Sequence, residues 1–190
     1  NIGDNTSFQC LSKLVFGDEN RFQNIRGLLS FFSKSIASFK LDANHFDINN
    51  DNVKSFCNDA FNAVRRMDIC FDSDADGAFL DAYQVVSGDF EELFGERNSA
   101  HSTMLSVFWS LSNILHHPNF LPGTFEFCII ASLFDLKINV IEGQSSEKFR
   151  SKWLYQVAEI FSPYQILQSD PSINLTEVFV LRDDQRNYYY

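Results

Sequence analysis

An acidic segment in the middle of the chain carries the side chains best suited to bind a metal ion. Asp72, Asp74 and Asp76 alternate with small residues, and Gly77 follows them. Carboxylates at positions 1, 3 and 5 and a glycine at position 6 match the first half of an EF-hand calcium loop. Position 12 of such a loop supplies a bidentate Glu, but Tyr83 stands there. We therefore expect a solvated acidic loop that is at best a weak calcium site, and no resident metal.

The histidines and cysteines show no spacing typical of a zinc site or a disulfide framework. No pair of histidines has H-E-x-x-H spacing, and no pair of cysteines forms C-x-x-C. The cysteines sit among apolar neighbours, which predicts buried free thiols and an intracellular, reduced protein. Gly-x-Gly-x-x-Gly and Walker-type loops are also absent, so no nucleotide cofactor is expected. The residues concerned are His45, His101, His116 and His117, and Cys10, Cys57, Cys70 and Cys128.

A second group of candidate residues stands at the start of the chain, where Asp4 and Asn5 precede Thr6, Ser7 and Cys10. Apolar residues that follow at helical spacing predict a short helix near 7–16. Thr6 and Ser7 would then lie at its N-terminus, where the free N–H groups can bind an anion or a carbonyl oxygen. Cys10 shares their face of the helix, because it follows them by three and four residues.

The remaining pattern predicts helices in the first two thirds of the chain and strands in the last third. The fold class is therefore α+β, with a small sheet. Gly17-Asp18 should separate the first helix from the second, and Asp51 should cap the third. The segment 124–134 is apolar all round, which indicates a buried helix. The predicted helices are 7–16, 20–39, 51–66, a piece near 79–94, 102–115 and 124–134; the predicted strands are 138–141, 152–155, 177–181 and 187–190.

Composition excludes several classes of function. The chain has 190 residues, which predicts one domain over 1–190, and its net charge is 15 − 25 = −10. That charge disfavours nucleic-acid binding, which needs a basic surface. No apolar run reaches the roughly 18 residues of a membrane span, and no signal peptide is visible in the first residues of this sequence. Because the chain does not begin with Met, we expect a segment of a longer protein. Most of the 21 Phe residues should fill the core.

Three blocks, in the same order and at similar spacing, resemble the ovarian-tumour (OTU) family of deubiquitinating cysteine proteases. The first block, GDNTSFQCLS from Gly3 to Ser12, is similar to the family's D-G-N-C-L-F-R-A-L-S, and Ile25-Arg26 stands where the family has "LR" on its second helix. The resemblance implies a papain-like α+β fold in which helices flank a small central sheet.

The second and third blocks lie in the last third of the chain. Gly123 to Val140 looks like the family's helix with Glu (here Glu126), which leads into an I-x-V strand. Near the end, Asn187-Tyr188 stands where the family carries a catalytic His-Tyr pair. The resemblance thus marks Asp4, Asn5, Glu126 and Tyr188 as candidate binding residues.

The sequence departs from the family at the residues that perform catalysis. The family's nucleophilic Cys aligns with Thr6 or with Ser7, depending on the spacing used, and its His aligns with Asn187. A papain-like mechanism needs a thiolate and an imidazole that passes its proton on. Even if Ser7 were an introduced replacement for Cys, the histidine would still be missing. Loss of one member of such a unit costs on the order of 10⁶ in rate.

We therefore expect a pseudo-deubiquitinase, which acts as a protein-interaction module or scaffold and uses neither membrane nor nucleic acid. It either retains ubiquitin, whose recognition face is basic, or has diverged to another protein partner. The alternatives are an active isopeptidase that uses Ser7, Thr6 or Cys10 with His116 or His117 as the base, and a calcium-responsive interaction domain.

Overall fold

Helices occupy the N-terminal part of the described chain and strands occupy the C-terminal part, so the predicted α+β class is confirmed. The computed structural model describes residues 5–38, 50–66, 107–118, 120–144, 154–183 and 188–190. Its helices are α1 (Thr6–Phe16), α2 (Phe22–Ser38), α3 (Asp51–Arg65), α4 (residues 107–114) and α5 (Thr124–Phe134), with 3₁₀ turns at Glu19–Arg21 and Gln165–Leu167. Its strands are β1 (Leu136–Gln144), β2 (Leu154–Phe161), β3 (Thr176–Arg182) and β4 (Tyr188–Tyr189).

The end of α1 confirms the predicted break at Gly17-Asp18. Gly17 adopts the left-handed conformation with φ 71°, and its N–H donates to the Lys13 carbonyl at 2.9 Å. Glycine takes this conformation without the steric cost that a Cβ would impose. Ser12 Oγ donates to the Asp18 carbonyl at 2.6 Å, which fixes the chain as it turns into the 3₁₀ segment.

The start of α3 corrects one prediction. Asn50, rather than Asp51, is the N-cap, and its Oδ1 accepts a hydrogen bond from the Asn52 N–H at 2.9 Å. Asn and Asp are equally good caps, so the sequence pattern does not distinguish the two neighbouring positions. Asp51 is instead the first helical residue, where its negative charge interacts favourably with the helix dipole.

The four strands form one mixed sheet in the order β2-β1-β3-β4. β1 is antiparallel to β2, with a bulge between Val140 and Ile141, and parallel to β3; β4 is antiparallel to β3. All four predicted strands differ from the observed ones in their bounds. The largest differences are in β1, which covers Leu136–Gln144 rather than 138–141, and in β2, which covers Leu154–Phe161 rather than 152–155. Polar residues such as Glu142 and Gln156 hid the length of these strands, because strands are recognised in a sequence from β-branched and aromatic residues.

The chain divides into two compact units, Asn1–Gly3 with Arg26–Phe125 and Asp4–Ile25 with Glu126–Tyr190. In the first unit, α2 and α4 run antiparallel, since Arg26 bonds to the Leu115 carbonyl and Ser30 to the Ser112 carbonyl. The aromatic core of that unit joins α3 to α4, with the Phe56 ring 5.5 Å from that of Phe108. The apolar residues that recur at helical spacing along α3 are buried: Val53, Phe56, Cys57, Ala60, Phe61 and Val64.

In the second unit, α5 covers one face of the sheet. The Phe127 ring lies 4.7 Å from that of Phe161 on β2 and 5.0 Å from that of Tyr188 on β4. Eight of the 14 phenylalanines in the described ranges are buried: Phe8, Phe56, Phe61, Phe108, Phe120, Phe125, Phe127 and Phe161. Among the described residues, every helix is too short or too polar to cross a bilayer.

Candidate functional site

The N-terminus of α1 holds the hydroxyl residues that the sequence singled out. Asn5 is the N-cap, with φ −81° and ψ 6°, and its carbonyl accepts the Gln9 N–H at 2.8 Å. Thr6 is therefore the first helical residue and is half-buried, whereas Ser7 in the second position is only 6% exposed. Asp4 lies outside the described residues. A hydroxyl group at this helix end is a hydrogen-bonding group, and it becomes a nucleophile only with a base beside it.

α1 lies against β4, so the fold brings together two segments that the sequence placed at opposite ends of the chain. Tyr188 is the residue of β4 that faces the covered side of the sheet, where its ring packs on Phe127. Its Oη accepts a hydrogen bond from Arg182 Nη1 at 3.1 Å. The predicted site segments thus meet in one unit, while Asn187 lies outside the described residues.

A charged network beside Tyr188 uses one residue from each of the four strands. Arg182 on β3 donates from Nε to Glu142 on β1 at 2.7 Å and from Nη1 to Glu159 on β2 at 2.6 Å. Burial by itself disfavours the charged guanidinium, but its hydrogen bonds to Tyr188, Glu142 and Glu159 outweigh that effect and raise the pKa of Arg182. The network fixes the guanidinium, and the guanidinium in turn holds the Tyr188 hydroxyl in place.

Sequence reasoning missed this network. Its members are far apart along the chain, and only the strand register makes them neighbours: Glu142 pairs with Arg182, and Arg182 pairs with Tyr188. The available signal was weak, an Arg and a Glu at the ends of two strands otherwise rich in Val and Ile. Opposite charges at corresponding ends of neighbouring strands are a pattern that could have suggested it.

The Cys10 thiol is poorly suited to act as a nucleophile. Its side chain is 3% exposed, and burial raises the pKa of Cys10 to about 12. At pH 7 the thiolate fraction is then about 10⁻⁵, and the thiolate is the reactive form. The prediction that Cys10 is a buried core thiol is confirmed, and Cys57 and Cys128 are buried free thiols as well.

The unit that contains Thr6, Ser7 and Cys10 has no histidine in its sequence, since all four histidines fall between Arg26 and Phe125. His116 and His117 follow the helical residues of α4, where the His117 carbonyl accepts a hydrogen bond from Arg26 at 2.9 Å. The backbone of this segment is thus held by Arg26, the arginine that the family resemblance marked. Any imidazole base for the hydroxyls of α1 would have to come from outside their own unit.

The remaining predicted site residues divide between the core and the undescribed segments. Glu126 is fully buried in the first turn of α5, where a carboxylate interacts favourably with the helix dipole. Such a position suits a structural role better than direct contact with a partner. Asp72, Asp74 and Asp76 lie outside the described residues. Within the described ranges, no three His, Cys, Asp or Glu side chains are grouped so that they could hold a metal ion.

Comparison with known proteins yields no significant match to a family model, to a curated protein or to a solved structure. Chemically, the described part of the site offers hydroxyls at a helix end, a positioned phenol and a fixed guanidinium, all of which are hydrogen-bonding groups.

Proposed function

We propose that this chain is a catalytically inactive OTU-like domain that works as a protein-interaction module. The observation that carries the proposal is the composition of the unit around α1 and β4. Its α1 segment carries Thr6 and Ser7 where the resembled family carries its nucleophile, and its sequence contains no imidazole. A hydroxyl without a base transfers no acyl group at a useful rate.

The arrangement of elements supports the family part of the proposal. In a papain-like site, the helix that bears the nucleophile and the strand that bears the base must be neighbours, because the two groups share a proton. Here α1 contacts β4, which follows directly after Asn187, the position that aligns with the family's histidine. This contact supports an OTU-like arrangement in which the residues that would react are replaced.

The partner we propose for this module is ubiquitin or a similarly basic protein surface, in an intracellular setting. The net charge of −10 favours encounter with a basic partner through long-range attraction. The same charge disfavours nucleic acid and anionic membranes as partners.

A ubiquitin-derived electrophilic probe tests the proposal. The wild-type chain should form no covalent adduct, as measured by intact-protein mass spectrometry, and the double variant Thr6→Cys with Asn187→His should form one slowly or not at all. Ser7→Cys with Asn187→His serves as the matched alternative, because the alignment allows either position. An adduct on wild-type Cys10, lost in Cys10→Ser, would overturn the inactive assignment and favour the displaced-nucleophile alternative.

Isothermal titration with mono-ubiquitin tests the partner separately. Measurable binding whose affinity falls at high salt would support ubiquitin as the partner, because salt screens the attraction between exposed charges. Absence of binding at high protein concentration would contradict ubiquitin as the partner, and would leave the catalytic assignment to the probe experiment.

A further inference from the structure

The two faces of the sheet differ sharply in what covers them. Along β3, Val180 is buried, and the next residues on either side, Phe179 and Leu181, are exposed. Such alternation is expected when one face packs on the core and the other meets solvent. The exposed positions of a solvent-facing strand are ordinarily polar, but here they carry Phe and Leu. We call this side of the sheet the open face.

The strand register places the side chains of the open face in two rows. In the first row, Ile141 pairs with Val157 on one side and with Leu181 on the other, and Leu181 pairs with Tyr189. In the second row, Ile160 and Phe179 flank Asn139 of β1, which is itself 4% exposed. Phe179 is 53% exposed, Ile160 52%, Val157 49% and Tyr189 46%.

The patch is large enough to bind a partner. Phe179 and Tyr189 each expose about half of a side chain that buries roughly 150–250 Å² when covered, which is about 100 Å² apiece. The aliphatic members bring the total to a few hundred Å², the size at which an exposed apolar patch usually has a function. Four strands span about 14 Å, which is comparable to the 10–12 Å diameter of a helix.

Charge decides among the possible occupants. The charged side chains that strand alternation places on the open face are Lys137, Glu177 and Asp183, which carry 1 − 2 = −1, and the whole chain carries −10. A second copy would bring the same negative charge against the first, and an anionic bilayer would do likewise. A partner segment with Lys or Arg beside its apolar residues would be attracted both by the patch and by its surroundings.

We propose that the open face docks an amphipathic helix of another protein, whose apolar stripe is flanked by basic residues. The apolar rows supply the area removed from water, and the acidic surroundings select the flanking charges. This surface is on the side of the sheet away from Phe127 and Tyr188, so the inference goes beyond the proposed inactive site and does not depend on it.

Two synthetic helical peptides test this proposal on the full chain. One has a leucine stripe with a lysine polar face, and the other has the same stripe with a glutamate polar face. The lysine peptide should bind, as measured by fluorescence anisotropy, and the glutamate peptide should bind at least tenfold more weakly. The double variant Phe179→Asn with Leu181→Asn should weaken binding of the lysine peptide at least tenfold, although the substitutions change no charge.

Phe31→Asn is the matched control, because Phe31 is a 71% exposed phenylalanine in the other unit. It should leave peptide binding within twofold of wild type. Equal weakening by Phe31→Asn, or no weakening by the Phe179 and Leu181 double variant, would overturn the proposal, because binding would then be general charge attraction. A melting curve like that of wild type shows that each variant is folded.

Two further measurements separate the other occupants. Sedimentation should give a monomer, and a dimer that the double variant disperses would assign the open face to a second copy and overturn the proposal. Phosphatidylserine vesicles should not bind the chain, and vesicle binding that the double variant abolishes would assign the face to a membrane and overturn it as well. None of these outcomes depends on whether the chain cleaves ubiquitin.

Discussion

Arg26 is the residue whose removal should most disturb the described structure. Its guanidinium is buried and reaches across from α2 to the chain that ends α4. Nη1 donates to the Leu115 carbonyl at 2.7 Å and to the His117 carbonyl at 2.9 Å, and Nη2 donates to the Phe120 carbonyl at 3.2 Å. Burial lowers the pKa of Arg26 to about 10, so the side chain is still charged at neutral pH.

Arg26→Met should cost about 3 kcal/mol of unfolding free energy. The substitution keeps an unbranched apolar stem but removes every donor, so three carbonyls at the end of α4 lose a partner, at about 1 kcal/mol or more each. Because the substitution also removes the desolvation cost of the buried charge, we expect a loss near the lower end of the roughly 3–5 kcal/mol typical when one partner of a buried charged pair is removed. The unfolding free energy of Arg26→Lys should lie between those of wild type and Arg26→Met, because one compact ammonium group cannot reach all three carbonyls.

Urea denaturation followed by far-ultraviolet circular dichroism measures the effect. With a slope of about 2 kcal/mol per molar urea, the midpoint should fall by about 1.5 M. Arg21→Met is the matched control, since Arg21 is exposed and lies over the Phe16 ring at 4.5 Å; it should lose less than about 1 kcal/mol. A loss below about 1 kcal/mol for Arg26→Met, or equal losses for both variants, would refute the reasoning.

Three further predictions concern the charged network, the buried thiol and calcium. Arg182→Leu should lower the unfolding free energy by about 1–2 kcal/mol, and 1 M salt should shrink that difference, because its carboxylate partners are partly exposed and are screened; a salt-independent loss would contradict an electrostatic origin. Burial raises the pKa of Cys10 from 9.0 to about 12, so the contribution of this thiol to stability is complete below pH 9 and is lost as pH rises from 9 towards 12. In the folded chain, Cys10 should therefore resist alkylation by iodoacetamide at pH 8. Rapid labelling of the native chain at Cys10, identified by peptide mass mapping, would contradict its burial. Calcium at about 1 mM should leave the melting temperature unchanged relative to chelator, because Tyr83 replaces the bidentate ligand; a rise that Asp74→Ala abolishes would instead support a calcium-responsive domain.

The sequence predicted the helices well because their signals are local. The break at Gly17, the apolar face of α3 and the buried α5 each depend on residues within a few turns of one another. Helical periodicity and turn chemistry are readable at that range. The predicted N-cap of α3 was wrong, because Asn50 and Asp51 are both good caps and only the backbone geometry distinguishes them.

The sheet was predicted less completely because its interactions are not local. The number of strands and their rough positions followed from the β-branched residues, but the parallel pairing of β1 with β3 did not. The Arg182 network and the open face both follow from that pairing. They arise when Glu142 is placed beside Arg182 and Ile141 beside Leu181, which are 40 residues away in sequence in each case. Strand register of this kind is set by the whole core.

The candidate site was predictable in composition but not in arrangement. Comparison of motifs marked Thr6, Ser7 and Tyr188, and the fold places α1 against β4. Sequence alone did not show that Ser7 and Glu126 are buried, since Ser and Glu are residue types that are mostly exposed.

The central claim, that this domain binds proteins without hydrolysing them, is tested most directly by a panel of di-ubiquitins that covers every linkage type. The purified chain, at micromolar concentration and over a full day, should release no mono-ubiquitin from any member of the panel. The Cys10→Ser variant should behave in the same way. Release of mono-ubiquitin by the wild-type chain, abolished by substitution at Thr6, Ser7 or Cys10, would contradict the account and establish an active isopeptidase.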